Sequence, residues 1–156
     1  MKNITKLRAI RLFMNTIVGQ QVIFTRERFE GSNMAMGIWD NVPRLKLPSK
    51  IDHPFDEMDK EFRRDFIKRC PMAQGFATIT LELLHECGHW KTREVINSVI
   101  YNRQVEKVDN QKDYMMIPYE HLATDWAIAW LQNPANRGLA KFFERLYFHY
   151  GNDIGQ

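Results

Sequence analysis

Two histidines and a glutamate fall within one five-residue segment, residues 85–89, in the pattern His-Glu-x-x-His. An α-helix advances about 100° per residue, so His85 and His89 lie one turn apart on one face and can bind the same metal ion. Glu86 lies beside them, where its carboxylate can take a proton from a water at the open position of the metal and later pass it to a leaving amine. The pattern therefore predicts a catalytic zinc site.

The residues before the motif predict the helix that this spacing requires. Residues 76–84 contain neither proline nor glycine. On a helical wheel, four apolar residues of this region fall on the side away from the two histidines: Phe76, Ile79, Leu83 and Trp90. This distribution disfavours a buried structural pair of histidines.

A catalytic zinc site has three protein ligands and keeps one position for water, so a third ligand is expected after His89. Residues 119–127 offer a glutamate, a histidine and an aspartate, namely Glu120, His121 and Asp125. His121 and Asp125 lie one helical turn apart, where they could pair at the surface, bind the metal or support another ligand.

The helix that carries these candidates is predicted over residues 118–132, with Pro118 in its first turn. Its buried face is predicted to centre on three large residues: Leu122, Trp126 and Trp130. Glu120 lies at the edge of that face, above the small residues Ala123 and Ala127. Small residues allow this helix to approach the motif helix closely, and this favours Glu120 as a ligand.

Length and composition limit the class of protein. We expect one domain over residues 1–156, because the chain is too short for two ordinary ones. No segment is long and apolar enough to cross a bilayer, and charges interrupt residues 1–18, which predict an amphipathic helix rather than a signal peptide.

The net charge of +3 comes from scattered basic residues and does not indicate nucleic-acid binding. Cys70 and Cys87 cannot form a disulfide framework, which favours a reducing, cytoplasmic location.

The remaining segments predict an α+β fold. Strand-like segments at residues 21–25, 34–39 and 44–47 are expected to form a small, mainly antiparallel sheet. Within the third, alternation around Leu45 and Leu47 predicts one face turned to solvent. The other predicted segments are a helix over residues 54–69, the motif helix, an irregular excursion over residues 91–114, the helix over residues 118–132 and a final helix from Pro134 to about Gly151.

The motif followed by Glu120-x-x-Ala123 and Trp126-Ala127 resembles the gluzincin metallopeptidases. The closest short forms are the ImmA/IrrE-like peptidases of phages and mobile elements, whose second motif is similar to E-x-x-A-N-x-F-A. The resemblance spans roughly residues 20–132 in element order, and two motifs carry it. It implies a minimal zincin-like fold with C-terminal helices, Glu86 as the general base, and zinc ligands His85, His89 and Glu120.

Two positions depart from that family pattern. Thr124 stands where the family favours Asn or Asp, and Trp126 stands where it usually has Phe. A register shifted by one residue would instead resemble the zincin-like domain of ArdC-type antirestriction proteins. That register would make His121 the zinc ligand and Asp125 its supporting partner. We rank Glu120 first, His121 second and Asp125 third.

These features predict a zinc-dependent endopeptidase whose substrate is a cytoplasmic protein or peptide. The sheet edge in front of the motif helix is expected to hold the substrate strand by β-addition. The alternative, from a different class, is an antirestriction or regulatory binding protein that keeps the fold and uses zinc structurally. Glu86 favours the enzyme, because a structural site needs no base there.

Overall fold

The structure, a computed structural model, describes residues 2–27, 35–37, 41–48, 57–95 and 117–153. Within these ranges the protein is α+β and mostly helical, with five α-helices and a three-stranded sheet. The helices are α1 (Lys2–Val18), α2 (Glu57–Arg69), α3 (Thr78–Lys91), α4 (Pro118–Leu131) and α5 (Pro134–Asp153). The strands are β1 (Ile23–Glu27), β2 (Ala35–Gly37) and β3 (Arg44–Pro48), and short 3₁₀ segments lie at Pro71–Gly75 and Arg93–Val95.

The described helices lie close to their predicted positions. Helix α4 begins at Pro118 as predicted, and the side chain of Asn133 caps α5 by accepting a hydrogen bond from the backbone N–H of Ala135 at 3.0 Å. No helix in the described ranges is long and apolar enough to cross a membrane. Several predicted segments lie partly outside the described residues: residue 34 and residues 38–39, 54–56 and 96–114.

The sheet is mixed, which corrects the expectation of a mainly antiparallel one. Its order is β1-β3-β2, and β3 runs parallel to β1 and antiparallel to β2. Strand β3 contains the fully buried Leu45 and Leu47. In the central position, β1 and β2 cover both of its edges, which favours this place for the most apolar strand. With β3 between them, β1 and β2 do not pair as a hairpin. The partial exposure of Arg44 and Lys46 confirms the predicted alternation along β3.

Helix α3, which carries the motif, is buried on every side. All residues from Ile79 to Trp90 are buried except Glu82, which is partly exposed. His85 and His89 are therefore buried as well, although they lie outside the apolar stripe of the helix. Helices α1, α2 and α5 and strand β2 also pack against α3, and α4 covers the side that carries the histidines.

Helices α3 and α4 approach closely because small residues meet between them. A Cβ atom added at Gly88 would lie 2.8 Å from Cα of Ala123 and closer still to its carbonyl oxygen. The three large residues expected at the centre of the α4 face are only partly buried, because that narrow space excludes them: Leu122, Trp126 and Trp130. The buried residues of α4 are instead Tyr119, Glu120, Ala123, Thr124, Ala127 and Leu131.

The first turn of α3 is capped by a side chain from another helix. Ala77, at the N-cap position, has no capping side chain of its own. The Glu144 carboxylate of α5 accepts hydrogen bonds from the backbone N–H of Ala77 at 2.7 Å and from the Thr80 hydroxyl at 2.6 Å. Arg63 of α2 donates to the Phe76 carbonyl oxygen at 2.7 Å. These contacts fix the start of the motif helix to α2 and α5.

Candidate metal centre

The structure brings His85, His89 and Glu120 together in one buried cluster. Oε1 of Glu120 lies 3.1 Å from Nε2 of His85 and 3.1 Å from Nε2 of His89. Each residue offers a ligand atom, and these atoms all lie within 4.8 Å of one another. The cluster could therefore hold a metal ion.

Two local features place these atoms. His85 and His89 lie one turn apart on α3, so both rings point toward α4. Glu120 lies three residues before Ala123 on α4, near the point where Gly88 allows the two helices to touch. The short interhelical distance lets a glutamate side chain reach both rings.

Thr124 orients the first histidine. Its hydroxyl oxygen lies 2.9 Å from Nδ1 of His85, and Thr124 is completely buried one turn after Glu120. With Nδ1 engaged by the hydroxyl, Nε2 of His85 faces Glu120. From sequence, Thr124 stands out only as a departure from a family pattern, and its contact with His85 is not predicted. Thr124 lies four residues after Glu120, and so on the same face of the helix. This spacing could have indicated that Thr124 lies next to the candidate ligands.

His89 is placed by packing. Its ring lies 4.4 Å from the Tyr119 ring, centroid to centroid, and the Tyr119 hydroxyl donates to the His89 carbonyl oxygen at 3.5 Å. Nδ1 of His89 is buried without a hydrogen-bond partner in the described part of the chain. The two candidate ligands thus differ, since only His85 has a hydrogen bond on its outer nitrogen among these residues.

The charges of the cluster are coupled. Burial alone would raise the pKa of Glu120, but the His89 and His85 imidazoles outweigh it and hold the pKa well below its ordinary value. Burial alone would lower the pKa of His89, but the Glu120 carboxylate outweighs it and raises the pKa. The metal-free cluster therefore favours a carboxylate paired with an imidazolium. A cation of higher charge can replace the proton on that imidazole.

Glu86 lies beside the cluster and is tied to the sheet. Its Oε2 atom accepts a hydrogen bond from the backbone N–H of Met36 in β2 at 2.8 Å. Burial raises the pKa of Glu86 above its ordinary value, although the imidazoles of His89 and His85 and the Met36 N–H oppose that shift. A carboxyl group with a raised pKa is better suited to proton transfer near neutral pH than an exposed one.

His121 and Asp125, the other two candidates for the third ligand, lie outside this cluster. Nε2 of His121 lies 3.6 Å from Oδ1 of Asp125, and their side chains are 40% and 47% exposed. Arg69, at the end of α2, contacts both side chains. The structure therefore places these two residues in a surface cluster with Arg69, whose ion pair with Asp125 joins α4 to α2.

Cys87 lies within the motif but not in the cluster. Its Sγ atom contacts Sδ of Met14 in α1 at 3.5 Å, and both residues are completely buried. Burial raises the pKa of the Cys87 thiol. The thiol is therefore a packing group within the core and stays protonated.

The donor set determines which metal the cluster suits. Two imidazole nitrogens and one carboxylate oxygen are a ligand set that catalytic zinc takes in proteins, and the cluster supplies all three.

Comparisons with protein families, with curated proteins and with solved structures find no match to this chain.

Proposed function

We propose that the protein is a zinc-dependent endopeptidase of the gluzincin type, similar to the ImmA/IrrE-like peptidases of phages and mobile elements. The observation that carries this proposal is the buried cluster of His85, His89 and Glu120 with Glu86 beside it on the same helix. An acidic residue next to a metal-binding pair is the arrangement that metallopeptidases use to hydrolyse a peptide bond.

His85, His89 and Glu120 would hold the zinc ion. When bound, zinc supplies a Lewis acid that polarises a carbonyl group and makes a water molecule more acidic. Thr124 keeps the His85 ring in the orientation that turns Nε2 toward the metal position. The close contact at Gly88 keeps Glu120 within reach of both rings.

Glu86 would act as the general base and then as the general acid. It takes a proton from the attacking water and gives it to the nitrogen of the leaving amine, so the carboxylate is regenerated. Burial supports this role because it raises the pKa of Glu86 and so strengthens the carboxylate as a base. The hydrogen bond from Met36 limits that shift.

Strand β2 is the natural place for the substrate. Among the described strands it pairs with β3 alone, so its other side is an edge. The Met36 N–H reaches Glu86 from that side, which places the edge next to α3. Because the Met36 N–H is bound to Glu86, an extended peptide would pair with this edge by donating to the Met36 carbonyl oxygen, with its scissile bond near Glu86. The proposed substrate class is therefore a protein or peptide segment in extended conformation. The two buried free cysteines support a cytoplasmic setting.

One observation favours a second function, a regulatory or antirestriction binding protein with a structural zinc. All three candidate ligands and Glu86 are buried, as in a closed structural site. Structural zinc sites usually take four protein ligands, however, and the described residues offer three. The three-ligand set and the adjacent Glu86 favour the enzyme.

A peptide-library experiment tests the proposal. The zinc-loaded protein, the chelator-treated protein and zinc-loaded Glu86→Gln are incubated with the same mixed peptides, and new termini are identified by mass spectrometry. We expect cleavage by the zinc-loaded wild type alone, with Glu86→Gln retaining one zinc ion per chain, because the amide keeps the shape of the side chain and loses its basicity. Cleavage by Glu86→Gln at the wild-type rate would refute the mechanism. Zinc binding without cleavage by the wild type would favour the binding protein.

A further inference from the structure

A backbone group of the sheet reaches the candidate general base. The Met36 N–H donates to Oε2 of Glu86 at 2.8 Å, across fifty positions of sequence, and both residues are buried. A hydrogen bond from an amide to a carboxylate is stronger than one between neutral groups, and burial protects it from competition by water. The contact therefore fixes one oxygen of the carboxylate.

The register of the sheet explains why this N–H is available. Met36 lies opposite Leu45, and its neighbours Ala35 and Gly37 lie opposite Lys46 and Arg44. In an antiparallel pair, alternate residues direct their N–H and C=O groups toward the partner strand and away from it. Because the Met36 N–H points to Glu86, Ala35 and Gly37 are the residues that bond to β3. The contact with Glu86 therefore uses no hydrogen bond of the sheet.

We infer that the backbone N–H of Met36 is the positioning group of Glu86, an inference that rests on the proposed hydrolytic function. It fixes Oε2 and leaves Oε1 as the oxygen that takes the proton of the attacking water. A glutamate side chain has three rotatable bonds, so holding one oxygen removes most of the orientations in which the other misses its target. Within β2, the positioning role belongs to the Met36 N–H alone.

The first test measures the contact without zinc or substrate. Amide hydrogen exchange is followed at Met36 in the metal-free wild type, in Glu86→Ala and in Glu86→Gln. Removal of the acceptor should speed exchange at Met36 by about tenfold or more, whereas the glutamine oxygen should preserve much of the protection. Ala35 and Gly37 are internal controls, because their N–H groups bond to β3 and should exchange at unchanged rates.

The second test removes the donor and leaves every side chain in place. The amide of Met36 is replaced by an ester through incorporation of the α-hydroxy analogue of methionine, and the matched control carries the same change at Ala35. The ester at position 36 should lower kcat by about tenfold to a hundredfold, with KM and zinc affinity close to wild type. The control ester at position 35 weakens the sheet without touching Glu86, so its kcat should stay near that of the wild type.

The outcomes separate this inference from the proposed function. Wild-type exchange at Met36 that is as fast in the presence of Glu86 as in Glu86→Ala would overturn the contact. Equal kcat values for the two esters in an active enzyme would overturn the positioning role and leave the proposed function intact. A wild type that hydrolyses nothing would overturn the proposed function, and the positioning role with it.

Discussion

The hydroxyl oxygen of Thr124 lies 2.9 Å from Nδ1 of His85, and both residues are buried between α3 and α4. A hydrogen-bond partner at the outer nitrogen of a ligand histidine fixes both the tautomer and the angle of the ring. When Nδ1 donates to the hydroxyl, Nε2 is left with the lone pair that a metal ion requires. An oxygen acceptor is also what Thr shares with the Asn or Asp that the resembling family favours at this position.

Replacement of Thr124 by Val should therefore weaken zinc binding about tenfold to a hundredfold. Valine keeps the shape and loses the hydroxyl, so the His85 ring is no longer held at Nδ1. Thr124→Ser keeps the hydroxyl and should bind zinc nearly as tightly as the wild type. Competition with a chromophoric chelator measures both affinities. A Val variant that binds zinc like the wild type would show that Thr124 is only a packing residue.

The cluster of His85, His89 and Glu120 could be predicted because the positions of these residues follow local rules. His85 and His89 share one face of one helix, and Glu120 lies on a helix whose small residues allow close approach. The Met36 contact with Glu86 could not be predicted in the same way. The donor is a backbone N–H, which every residue except proline has, so the residue type does not indicate it. The direction of this N–H depends on the register of the sheet, which tertiary packing sets.

The burial of α3 was predicted less well than its helicity. Its apolar stripe predicts where one side of the helix meets the core, but not that a second helix covers the polar side. The close approach was expected from Ala123 and Ala127 on α4, whereas the contribution of Gly88 on α3 is informative only once the two helices are known to cross there. The same narrow space places the large Trp126 and Trp130 at the margin of the contact between α3 and α4. The hydropathy pattern had predicted them at its centre.

Glu120→Ala should lose most of its zinc affinity, because it removes the carboxylate that both imidazoles face. Asp125→Ala is the matched control. It removes a carboxylate from the same helix, but that carboxylate pairs with Arg69 at the surface. Zinc content after dialysis, measured by mass spectrometry, should be near zero for the first variant and near one per chain for the second. His121→Ala should also retain zinc. The reverse result, with retention in Glu120→Ala and loss in His121→Ala, would restore the shifted register.

Gly88→Ala should separate α3 from α4 and disrupt the metal centre, because the new Cβ would overlap the backbone of Ala123. We expect destabilisation by about 1–3 kcal/mol, the range for overpacking, despite the better helix propensity of alanine. Gly138→Ala on α5 is the control, since a Cβ there meets nothing within 4 Å, and it should stabilise the protein by up to about 1 kcal/mol. Denaturant unfolding of both variants measures these changes. A Gly88→Ala protein with wild-type stability and zinc affinity would contradict the close contact.

The stabilisation that zinc gives should grow as pH rises. In the metal-free protein, the lowered pKa of Glu120 contributes stability above its ordinary value of 4.5, and this contribution is lost as pH falls through the folded pKa. The raised pKa of His89 contributes stability below its ordinary value of 6.5, and that contribution is lost as pH rises through the folded pKa. The metal-free pair is thus most favourable between these two values. Above the raised folded pKa of His89, zinc meets a neutral imidazole and displaces no proton.

Thermal unfolding of the metal-free and zinc-loaded forms from about pH 5 to pH 8 measures this effect directly. The difference in Tm between the two forms should widen steadily over that range, because a proton on His89 competes with zinc at the lower end. Asp125→Ala, which leaves the cluster intact, should show the same widening. Glu120→Ala should show almost no difference in Tm at any pH, because it lacks the third ligand. A Tm difference in the wild type that stays constant with pH would mean that zinc binds without displacing a proton from this cluster.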